Sequence, residues 1–398
     1  MNSRREFLLS AAKALPTVGI PFAFSRAEAF DGTSDLLRSA PRARYWISTA
    51  SSGANCLQCH NPSEKLQDKA HSSRDVIIKC LLCAQGCILR EGDRGKCRAR
   101  IHFKGELRSL VYGRPVAMNV DPIEKKPLYH FLPGSEAFSF ATAGCPLRCK
   151  FCQNWEISQS SPEDLSTGFI SPAAIVRSAV SRRSPVIAFT YNEPTVFMEY
   201  LADTAAQARK QNRRSVLVSC GFMNSEPLKE MCQLLDAIKI DLKGFSEDFY
   251  RKVCSAELKP VLNTIRQIAK SGVHLEIVNL VVPTLNDSDG MLTGLVNWIL
   301  GEIGPDVPVH FTRFHPDYQL LNLPPTPVAT LERFRDYSIS RGLRFVYVGN
   351  VPNHPGNHTY CPQCRKVILQ RNSIFVEQVN MAGGKCRFCG KSIPGVWA

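Results

Sequence analysis

The chain has 398 residues with a hydrophobic content of 44%, a formal net charge of +14 and 16 cysteines. This length and content permit one large domain with a sizeable buried core and small attachments. The cysteines are about 4% of the chain, which is well below the content of disulfide scaffolds, and most of them are grouped, which indicates metal binding.

The basic excess favours anionic partners, such as nucleic acid or an anionic membrane surface. The isoelectric point is near 9.2, but the charge is spread along the chain and no known nucleic-acid-binding module accompanies it. We therefore interpret the charge as a solvated basic surface and expect no nucleic-acid partner. Beyond the N-terminus, no uninterrupted apolar run of about 18 residues predicts a membrane span.

The first 29 residues have the three parts of an export signal. Residues 3–8, Ser-Arg-Arg-Glu-Phe-Leu, resemble the twin-arginine motif, a moderately apolar stretch follows over residues 8–24, and residues 27–29, Ala-Glu-Ala, offer a cleavage site. Residues 1–29 are therefore predicted to be a twin-arginine signal peptide that directs the folded protein to the periplasm. If the signal does not function, the protein is expected to be cytoplasmic.

Residues 30–74 form a predicted polar linker that contains the pattern Cys56-Leu-Gln-Cys59-His60. C-x-x-C-H is the attachment motif of c-type haem, in which two thioethers hold the porphyrin and the histidine binds the iron. His71 is available as a second axial ligand. The alternatives are a zinc site or a bond between the two cysteines.

A Cys-rich segment is predicted over residues 75–136. Its C-x2-C-x3-C-x9-C pattern includes several glycines and is typical of a loop that wraps a metal, because glycine permits the turns that aim sulfurs inward. Zinc would make this loop a structural staple, whereas an auxiliary iron–sulfur cluster would make it an electron relay. The four candidate ligands are Cys80, Cys83, Cys87 and Cys97.

Over residues 137–350 the sequence alternates between strand-like and helix-like segments. This alternation predicts an α/β fold with parallel strands and crossover helices, and its intervals favour a partial (β/α) barrel over a doubly wound sheet. In either arrangement, ligands bind at the carboxyl ends of the strands. The predicted strands are 137–141, 186–190, 215–219, 237–242, 274–282, 307–312 and 343–348, and the predicted helices are 172–182, 259–270 and 327–341.

The first of these strands leads into residues 144–154, where Cys145, Cys149 and Cys152 form a C-x3-C-x2-C pattern. Three thiolates leave one corner of a [4Fe-4S] cluster without a protein ligand, so that iron can bind a small molecule and pass it an electron. A zinc knuckle is disfavoured, because closed zinc sites take four ligands. A ferredoxin-like electron carrier is the other alternative.

This loop, with Phe151 before its third cysteine, resembles the signature of the radical S-adenosylmethionine (SAM) superfamily. The resemblance implies that Cys145, Cys149 and Cys152 hold a [4Fe-4S] cluster whose free iron chelates SAM. It also implies that one electron splits the sulfonium of SAM into methionine and a 5′-deoxyadenosyl radical.

Two further segments at predicted strand ends resemble SAM-binding elements. Asn192 and Glu193 lie in a segment that resembles the G-G-E-P element of radical SAM proteins, although it lacks the glycines. Asp241 and Lys243 resemble the D-x-K element of glycyl-radical-enzyme activases, and their spacing places both side chains on one face of the strand. The alternative for each is a salt bridge or cap at a strand end. His310 is expected either to face substrate or to be packed, and no chemistry is assigned to it.

The C-terminal residues 351–398 contain two C-x2-C pairs, separated by enough chain for two strands and a turn. This arrangement predicts a zinc-ribbon-like knuckle around one tetrahedral ion, with rubredoxin-type iron as the alternative. Capping of the domain is favoured over nucleic-acid binding as its role. The four ligands are Cys361, Cys364, Cys386 and Cys389.

Together these motifs resemble the AmmeMemoRadiSam-system radical SAM enzymes, which are similar to pyruvate formate-lyase activating enzymes. The likeness covers residues 76–398. It is weaker at Ala84 and Gln85, where relatives usually have proline and histidine. This chain also departs from the family in carrying an export signal and the C-x-x-C-H motif. The segments that carry it are 80–83, 121–131, 144–155, 190–194, 241–244, 310–311, 347–350, 360–362 and 393–397.

The resemblance implies an oxidoreductase that abstracts hydrogen from an unidentified substrate. The analogy with the activases points to a protein backbone glycine. Memo-like and AMMECR-like partner proteins and an electron donor are also implied. One alternative function is an exported electron-transfer protein with iron–sulfur and haem centres and no SAM turnover; another is a zinc-ribbon modifier of nucleic acid.

Overall fold

The computed structural model describes residues 32–49, 76–165 and 167–397. Before the main sheet, the described residues form one helix, a three-stranded antiparallel sheet and a separate hairpin. These elements are α1 (Gly32–Ser39), β1 (Trp46–Ser48), β2 (Ile78–Cys80), β3 (Ile88–Leu89), β4 (Arg100–Phe103) and β5 (Glu106–Ser109). The buried Arg100 joins this part to the main domain, because its guanidinium pairs with Glu199 and donates to the Arg44 carbonyl at 2.8 Å.

An eight-stranded sheet forms the centre of the molecule, and its strand order follows chain order. Its strands are β6 (Ala117–Pro122), β7 (Glu136–Ala141), β8 (Val186–Phe189), β9 (Arg214–Ser219), β10 (Ala237–Asp241), β11 (His274–Val281), β12 (Val309–Arg313) and β13 (Val346–Gly349). Strands β6 and β7 are antiparallel, and every pair from β7 to β13 is parallel. The predicted α/β fold of radical SAM type, a partial barrel, is confirmed.

Strand β6 was not predicted from the sequence. One face of β6 carries Asn119 and Asp121, so the strand lacks the continuous apolar run of its neighbours. In β8, by contrast, all four residues are buried, which is the pattern of a parallel strand covered on both faces. The sheet therefore begins one strand earlier than the apolar pattern indicates.

Helices connect the parallel strands. They are α2 (Trp155–Ser158), α3 (Pro172–Ser181), α4 (Met198–Lys210), α5 (Ser225–Leu234), α6 (Glu247–Phe249), α7 (Leu258–Ser271), α8 (Asp289–Glu302) and α9 (Val328–Ser340). The Ser171 hydroxyl caps α3 by accepting from the Ala174 N–H at 3.3 Å, and Gly272 ends α7 with φ 82°. In the described part of the chain, no helix is long and apolar enough to cross a membrane.

The amino-terminal end of the barrel is closed by the segment before β7. Leu128 and Phe131 pack there against the first residues of the strands, including Ala137 and Val186. The C-terminal segment adds to this closure, because the Val396 N–H donates to the His130 carbonyl at 2.7 Å. The carboxyl-terminal end of the sheet is thus the end at which a ligand site can form.

A C-terminal ribbon follows the barrel. It consists of a three-stranded antiparallel sheet of β14 (Thr359–Tyr360), β15 (Val367–Asn372) and β16 (Phe375–Val379), and a hairpin of β17 (Met381–Ala382) and β18 (Lys385–Cys386). Arg371 fixes the ribbon to the barrel. Its buried guanidinium donates to Thr359 Oγ1 and to the Tyr129 carbonyl, both at 2.8 Å, and lies 4.1 Å from the centre of the Tyr129 ring.

Candidate active site

The cysteine loop of residues 144–152 lies directly after β7, at the carboxyl-terminal edge of the sheet. Its backbone is held from the other side of the site: the Arg148 N–H donates to the Cys254 carbonyl at 2.9 Å and the Lys150 N–H to the Val253 carbonyl at 3.0 Å. The Phe151 ring stacks on the Phe249 ring with centroids 6.3 Å apart. The loop that the sequence predicted to bind a cluster is therefore at the edge where ligands of such sheets bind.

Hydrogen-bond donors face all three thiols of this loop. The backbone N–H two residues after Cys145 faces its sulfur, and the same holds for Cys152. A hydrogen bond from Cys254 lowers the pKa of Cys149, although burial opposes this. Burial outweighs the donors at the other two cysteines and raises the pKa of Cys145 and of Cys152. Donors aimed at a sulfur favour its thiolate form, which is the form that binds metal.

Asn192, a predicted SAM contact, lies beside this loop. Its amide Nδ2 donates to the Gly144 carbonyl at 2.8 Å. Its Oδ1 is buried and has no hydrogen-bond partner among the described residues. Because an unpaired buried acceptor is costly, Asn192 fits a site whose ligand brings a donor group.

Glu193, the second predicted contact, bridges the ends of β8 and β9. Its Oε1 accepts from the Thr195 N–H at 3.1 Å and the Ser219 hydroxyl at 2.8 Å, and its Oε2 accepts from the Cys220 N–H at 2.7 Å. These bonds fix two adjacent strand ends. A direct contact of Glu193 with SAM stays a prediction.

Asp241 and Lys243 meet at the end of β10, as their spacing predicted, with Lys243 Nζ 3.0 Å from Asp241 Oδ2. A second cation, the buried Lys239, pairs with Asp241 Oδ1. Burial opposes ionisation of Asp241, but the two ammonium groups outweigh it and lower its pKa to about 2. Lys243 Nζ is also 6.0 Å from the centre of the Phe151 ring, so this charged group adjoins the cysteine loop.

The sequence reasoning did not identify Lys239 or a second charged group around Asp121. Asp121 accepts from Lys125 at 2.7 Å, from Lys126 at 2.6 Å and from the Tyr191 hydroxyl at 2.8 Å. Burial lowers the pKa of Lys126 to about 8. Tyr191 directly precedes Asn192, so this group joins β6 to the loop after β8.

Glu276 lies at the centre of a buried polar group nearer the amino-terminal end of the barrel. It accepts from the backbone N–H of Tyr129 at 3.0 Å and of His130 at 2.7 Å, and from Nε2 of His274 at 3.0 Å and of His310 at 2.7 Å. Burial opposes ionisation of Glu276, but the hydrogen bonds from His274 and His310 outweigh it and lower its pKa. Of the two expectations for His310, the packed position is the one observed.

His130 makes stability depend on pH. Burial lowers its pKa from 6.5 to about 3, so below about pH 6.5 the unfolded chain binds a proton that the folded chain does not. Acidification therefore favours unfolding, and His130 should account for a loss of about 2 kcal/mol between about pH 7 and pH 5. Denaturant unfolding at several pH values measures this. The His130→Gln variant should show a shallower loss than wild type, and an equal loss would contradict the assignment.

The C-terminal cysteines form a compact site. The sulfurs of Cys361 and Cys389 are 3.6 Å apart, those of Cys364 and Cys386 are 3.7 Å apart, and all four lie within 4.8 Å of one another. Four sulfurs bonded tetrahedrally to zinc at about 2.3 Å would be separated by about 3.8 Å. The cluster therefore fits one tetrahedral ion, as the sequence predicted.

Cys80, Cys83, Cys87 and Cys97 lie beside the cysteine loop, where Gly144 passes over the Cys97 carbonyl. The other predictions concern residues that lie outside the described ranges: the signal over residues 1–29 and the haem site of Cys56, Cys59 and His60. They stay predictions.

Comparisons with known proteins agree with this geometry. Residues 140–293 match the model of the radical SAM superfamily. An uncharacterized protein of Methanocaldococcus jannaschii is 41% identical over 321 residues, which cover 80% of this chain and 96% of that protein. The chain belongs to the radical SAM superfamily.

Two further proteins resemble this radical SAM enzyme at lower identity. The pyruvate formate-lyase-activating enzyme of Streptococcus mutans is 22% identical over 165 residues, which cover 39% of this chain and 63% of that enzyme. A crystal structure of a radical SAM methyltransferase from Sphaerobacter thermophilus superposes with a TM-score of 0.44 at 14% identity, covering 56% of this chain and 68% of that one.

Membership of the superfamily implies a [4Fe-4S] cluster and SAM. The residues present fit these groups. Cys145, Cys149 and Cys152 provide three thiols with donors aimed at them, and the unpaired Oδ1 of Asn192 provides an acceptor next to them.

Proposed function

We propose that this radical SAM enzyme cleaves SAM reductively and abstracts a hydrogen atom from a protein substrate. The observation that carries the proposal is the position of the cysteine loop at the carboxyl-terminal edge of the sheet, against the buried and unpaired Oδ1 of Asn192. A site that left one iron free and held an unpaired acceptor beside it would bind a ligand with both metal-binding and donor groups. The amino acid part of SAM has both.

Each residue of the site has a distinct role in this proposal. Cys145, Cys149 and Cys152 hold the cluster, which when bound supplies the electron that splits SAM into methionine and a 5′-deoxyadenosyl radical. Asn192 accepts a hydrogen bond from the amino group of SAM. The Asp241–Lys243 pair keeps a cation next to the loop, where it can bind a carboxylate or hydroxyl of SAM.

The substrate proposal rests on the relatives. The activating enzymes matched by this chain act on another enzyme, as their name states, and we propose a protein glycine as the hydrogen donor here. Memo-like and AMMECR-like partners and a separate electron donor belong to the same proposal. Operation in the periplasm would follow if residues 1–29 direct export.

The proposed reaction is tested by anaerobic reconstitution followed by addition of SAM and dithionite. Wild type should form 5′-deoxyadenosine and methionine, and the electron paramagnetic resonance (EPR) signal of its reduced cluster should change when SAM is added. Cys149→Ala should form neither product above background. Cys232→Ala, which replaces a cysteine on α5 outside the site, is the matched control and should retain both properties. Equal product from Cys149→Ala would refute the cluster assignment.

Asn192→Ala should weaken SAM binding about tenfold, because the amino group of SAM loses one hydrogen bond in a buried site. The dissociation constant is measured by titrating the EPR change with SAM. Iron content, determined on the same sample, shows whether the cluster is still present. Asn263→Ala, on the exposed face of α7, should bind SAM as wild type does. An unchanged dissociation constant in Asn192→Ala would remove Asn192 from the SAM site.

A further inference from the structure

Four cysteines outside the proposed SAM site are gathered in one place. Cys80, Cys83 and Cys97 are buried and Cys87 is half-buried. The sulfurs of Cys97 and Cys87 lie 3.5 and 3.8 Å from the point where a Cβ on Gly95 would be. The Cys80 N–H donates to the Cys87 carbonyl at 2.9 Å, which holds the first and third cysteines side by side. These four neighbouring cysteines, three of them buried, form a ligand set that the proposed SAM chemistry does not use.

Backbone donors are aimed at these sulfurs. The Lys96 N–H donates to Cys87 Sγ at 3.4 Å. The N–H of Gln85 faces the sulfur of Cys83, and that of Ala99 faces the sulfur of Cys97. These are the same two-residue offsets that Leu147 and Asn154 show toward the cysteines of the SAM loop. Hydrogen bonds of this kind stabilise thiolate ligands and set the reduction potential of iron–sulfur centres.

The spacing of the ligand sulfurs distinguishes a site for an iron–sulfur cluster from a site for a single metal ion. Among the described residues, the C-terminal cysteines are the group whose ligand atoms all lie within 4.8 Å of one another. Neither the Cys80 group nor the SAM loop has three sulfurs that meet this limit. A cubane keeps its ligand sulfurs farther apart than one zinc ion does, because four irons and four sulfides lie between them. The Cys80 group therefore lacks the compact sulfur arrangement of the C-terminal single-ion site.

The Cys80 group and the SAM loop are in direct contact. At Gly144, which has φ 93°, an added Cβ would lie 2.2 Å from the Cys97 carbonyl oxygen, so the SAM loop passes directly over the last cysteine of the other group. The Arg148 guanidinium donates to the Cys145 carbonyl at 2.7 Å and also to the Lys96 carbonyl. Gln85 Nε2 donates to the Pro146 carbonyl at 3.2 Å. This contact would hold two metal centres at a short and fixed separation.

We propose that Cys80, Cys83, Cys87 and Cys97 hold a second iron–sulfur cluster through which electrons reach the site of Cys145, Cys149 and Cys152. The donor is a low-potential one-electron protein of the ferredoxin or flavodoxin class. It loses one electron, the second cluster is reduced and reoxidised, and the SAM-binding site gains that electron; no proton or covalent bond changes place. The destination of the electron rests on the proposed function, whereas the presence of the second cluster does not.

Iron and sulfide analysis tests the cluster. Anaerobically reconstituted wild type should contain about eight irons and eight sulfides per chain, and the Cys145→Ala/Cys149→Ala/Cys152→Ala variant should retain about four of each. This variant leaves the Cys80 group intact, so the result does not depend on disturbing its buried cysteines. A variant without iron, or a second zinc in wild type beside four irons, would overturn the proposal and leave the proposed function standing. Eight irons with a signal indifferent to SAM would overturn the proposed function instead.

The electron path is tested with Cys83→Ala/Cys87→Ala, which removes two of the four ligands. With reduced ferredoxin as donor, the rate of 5′-deoxyadenosine formation should fall about tenfold or more relative to Cys232→Ala. The SAM-responsive EPR signal should persist, which shows that the barrel is folded and the other cluster is present. A rate equal to the control would refute electron entry through this group. Should the double variant fail to fold, the single variant Cys87→Ala, which changes the half-buried cysteine of the group, takes its place with the same expected fall in rate.

Discussion

Removal of the metal from the C-terminal cysteines is expected to lower the free energy of unfolding of the ribbon by at least about 5 kcal/mol, because binding energy at a structural zinc site is folding energy. The ribbon has a small core that includes Ile368, Leu369 and Met381. Such a core supplies little stability alone. The four sulfurs already have the spacing of a tetrahedral site, so we expect one zinc per chain.

The effect should spread from the ribbon to the barrel through Arg371. Its buried guanidinium holds the Tyr129 carbonyl and lies within 3.5 Å of Glu124. Both partners belong to the segment that closes the amino-terminal end of the barrel. If the ribbon unfolds, Glu124 is left as a buried carboxylate without its cation, which is strongly unfavourable. Loss of the zinc should therefore loosen the barrel as well.

Metal analysis and unfolding of Cys361→Ser, beside chelator-treated wild type, measure this effect. Hydrogen exchange should show lost protection in β15 and in the segment around Tyr129. The control is Cys232→Ser, which should keep the metal and the wild-type stability. A Cys361→Ser protein that binds no zinc and yet unfolds like wild type would show that the ribbon is held by Arg371 and its core alone.

The parts of the site that could be predicted from sequence are those set by local spacing. The cysteine loop and the C-terminal pairs have ligand spacings that need no knowledge of the fold, and the alternation of apolar segments predicted the parallel sheet that places the loop at its edge. Asp241 and Lys243 were found because two residues of one strand point the same way. The start of α3 was found because Ser171 and Pro172 form a local cap.

The parts that could not be predicted depend on contacts between distant segments. Glu276 accepts from His130, which is 146 residues away along the chain, and no local pattern indicates this pair. Asp121 lies on β6, and this strand was not predicted because one of its faces is polar. Lys239, in contrast, could have been predicted from the sequence. A lysine two residues from Asp241 on an otherwise apolar strand indicates a buried charge partner.

Asp241→Asn is expected to lower the free energy of unfolding by about 3 kcal/mol, because it leaves two neighbouring cations without their shared carboxylate. Lys239 is buried and Lys243 is largely so, and both pair with Asp241. The depressed pKa of Asp241, about 2, means that its contribution is present above its ordinary pKa of 3.8 and is lost only as the pH falls toward 2. The loss in the variant should therefore be the same at all pH values near neutrality.

The same substitution should also reduce the proposed activity. Lys243 lies over the Phe151 ring, between Asp241 and the cysteine loop. Without its partner, Lys243 is free to leave the position that we propose for SAM binding. The loss of this charge pairing should raise the activation barrier for SAM cleavage. A rise of about 3 kcal/mol would slow 5′-deoxyadenosine formation more than a hundredfold.

Two comparisons distinguish the effect of leaving buried lysines unpaired from the general effect of losing a carboxylate. Asp248→Asn removes a carboxylate that pairs with Arg251 and Lys252 on the exposed surface, and it should leave both stability and rate close to wild type. The double variant Lys239→Met/Asp241→Asn removes one of the two unpaired cations, so it should be more stable than Asp241→Asn. If Asp241→Asn were as mild as Asp248→Asn, or if Lys239→Met gave no recovery, the paired lysines would not be the reason that this barrel keeps Asp241.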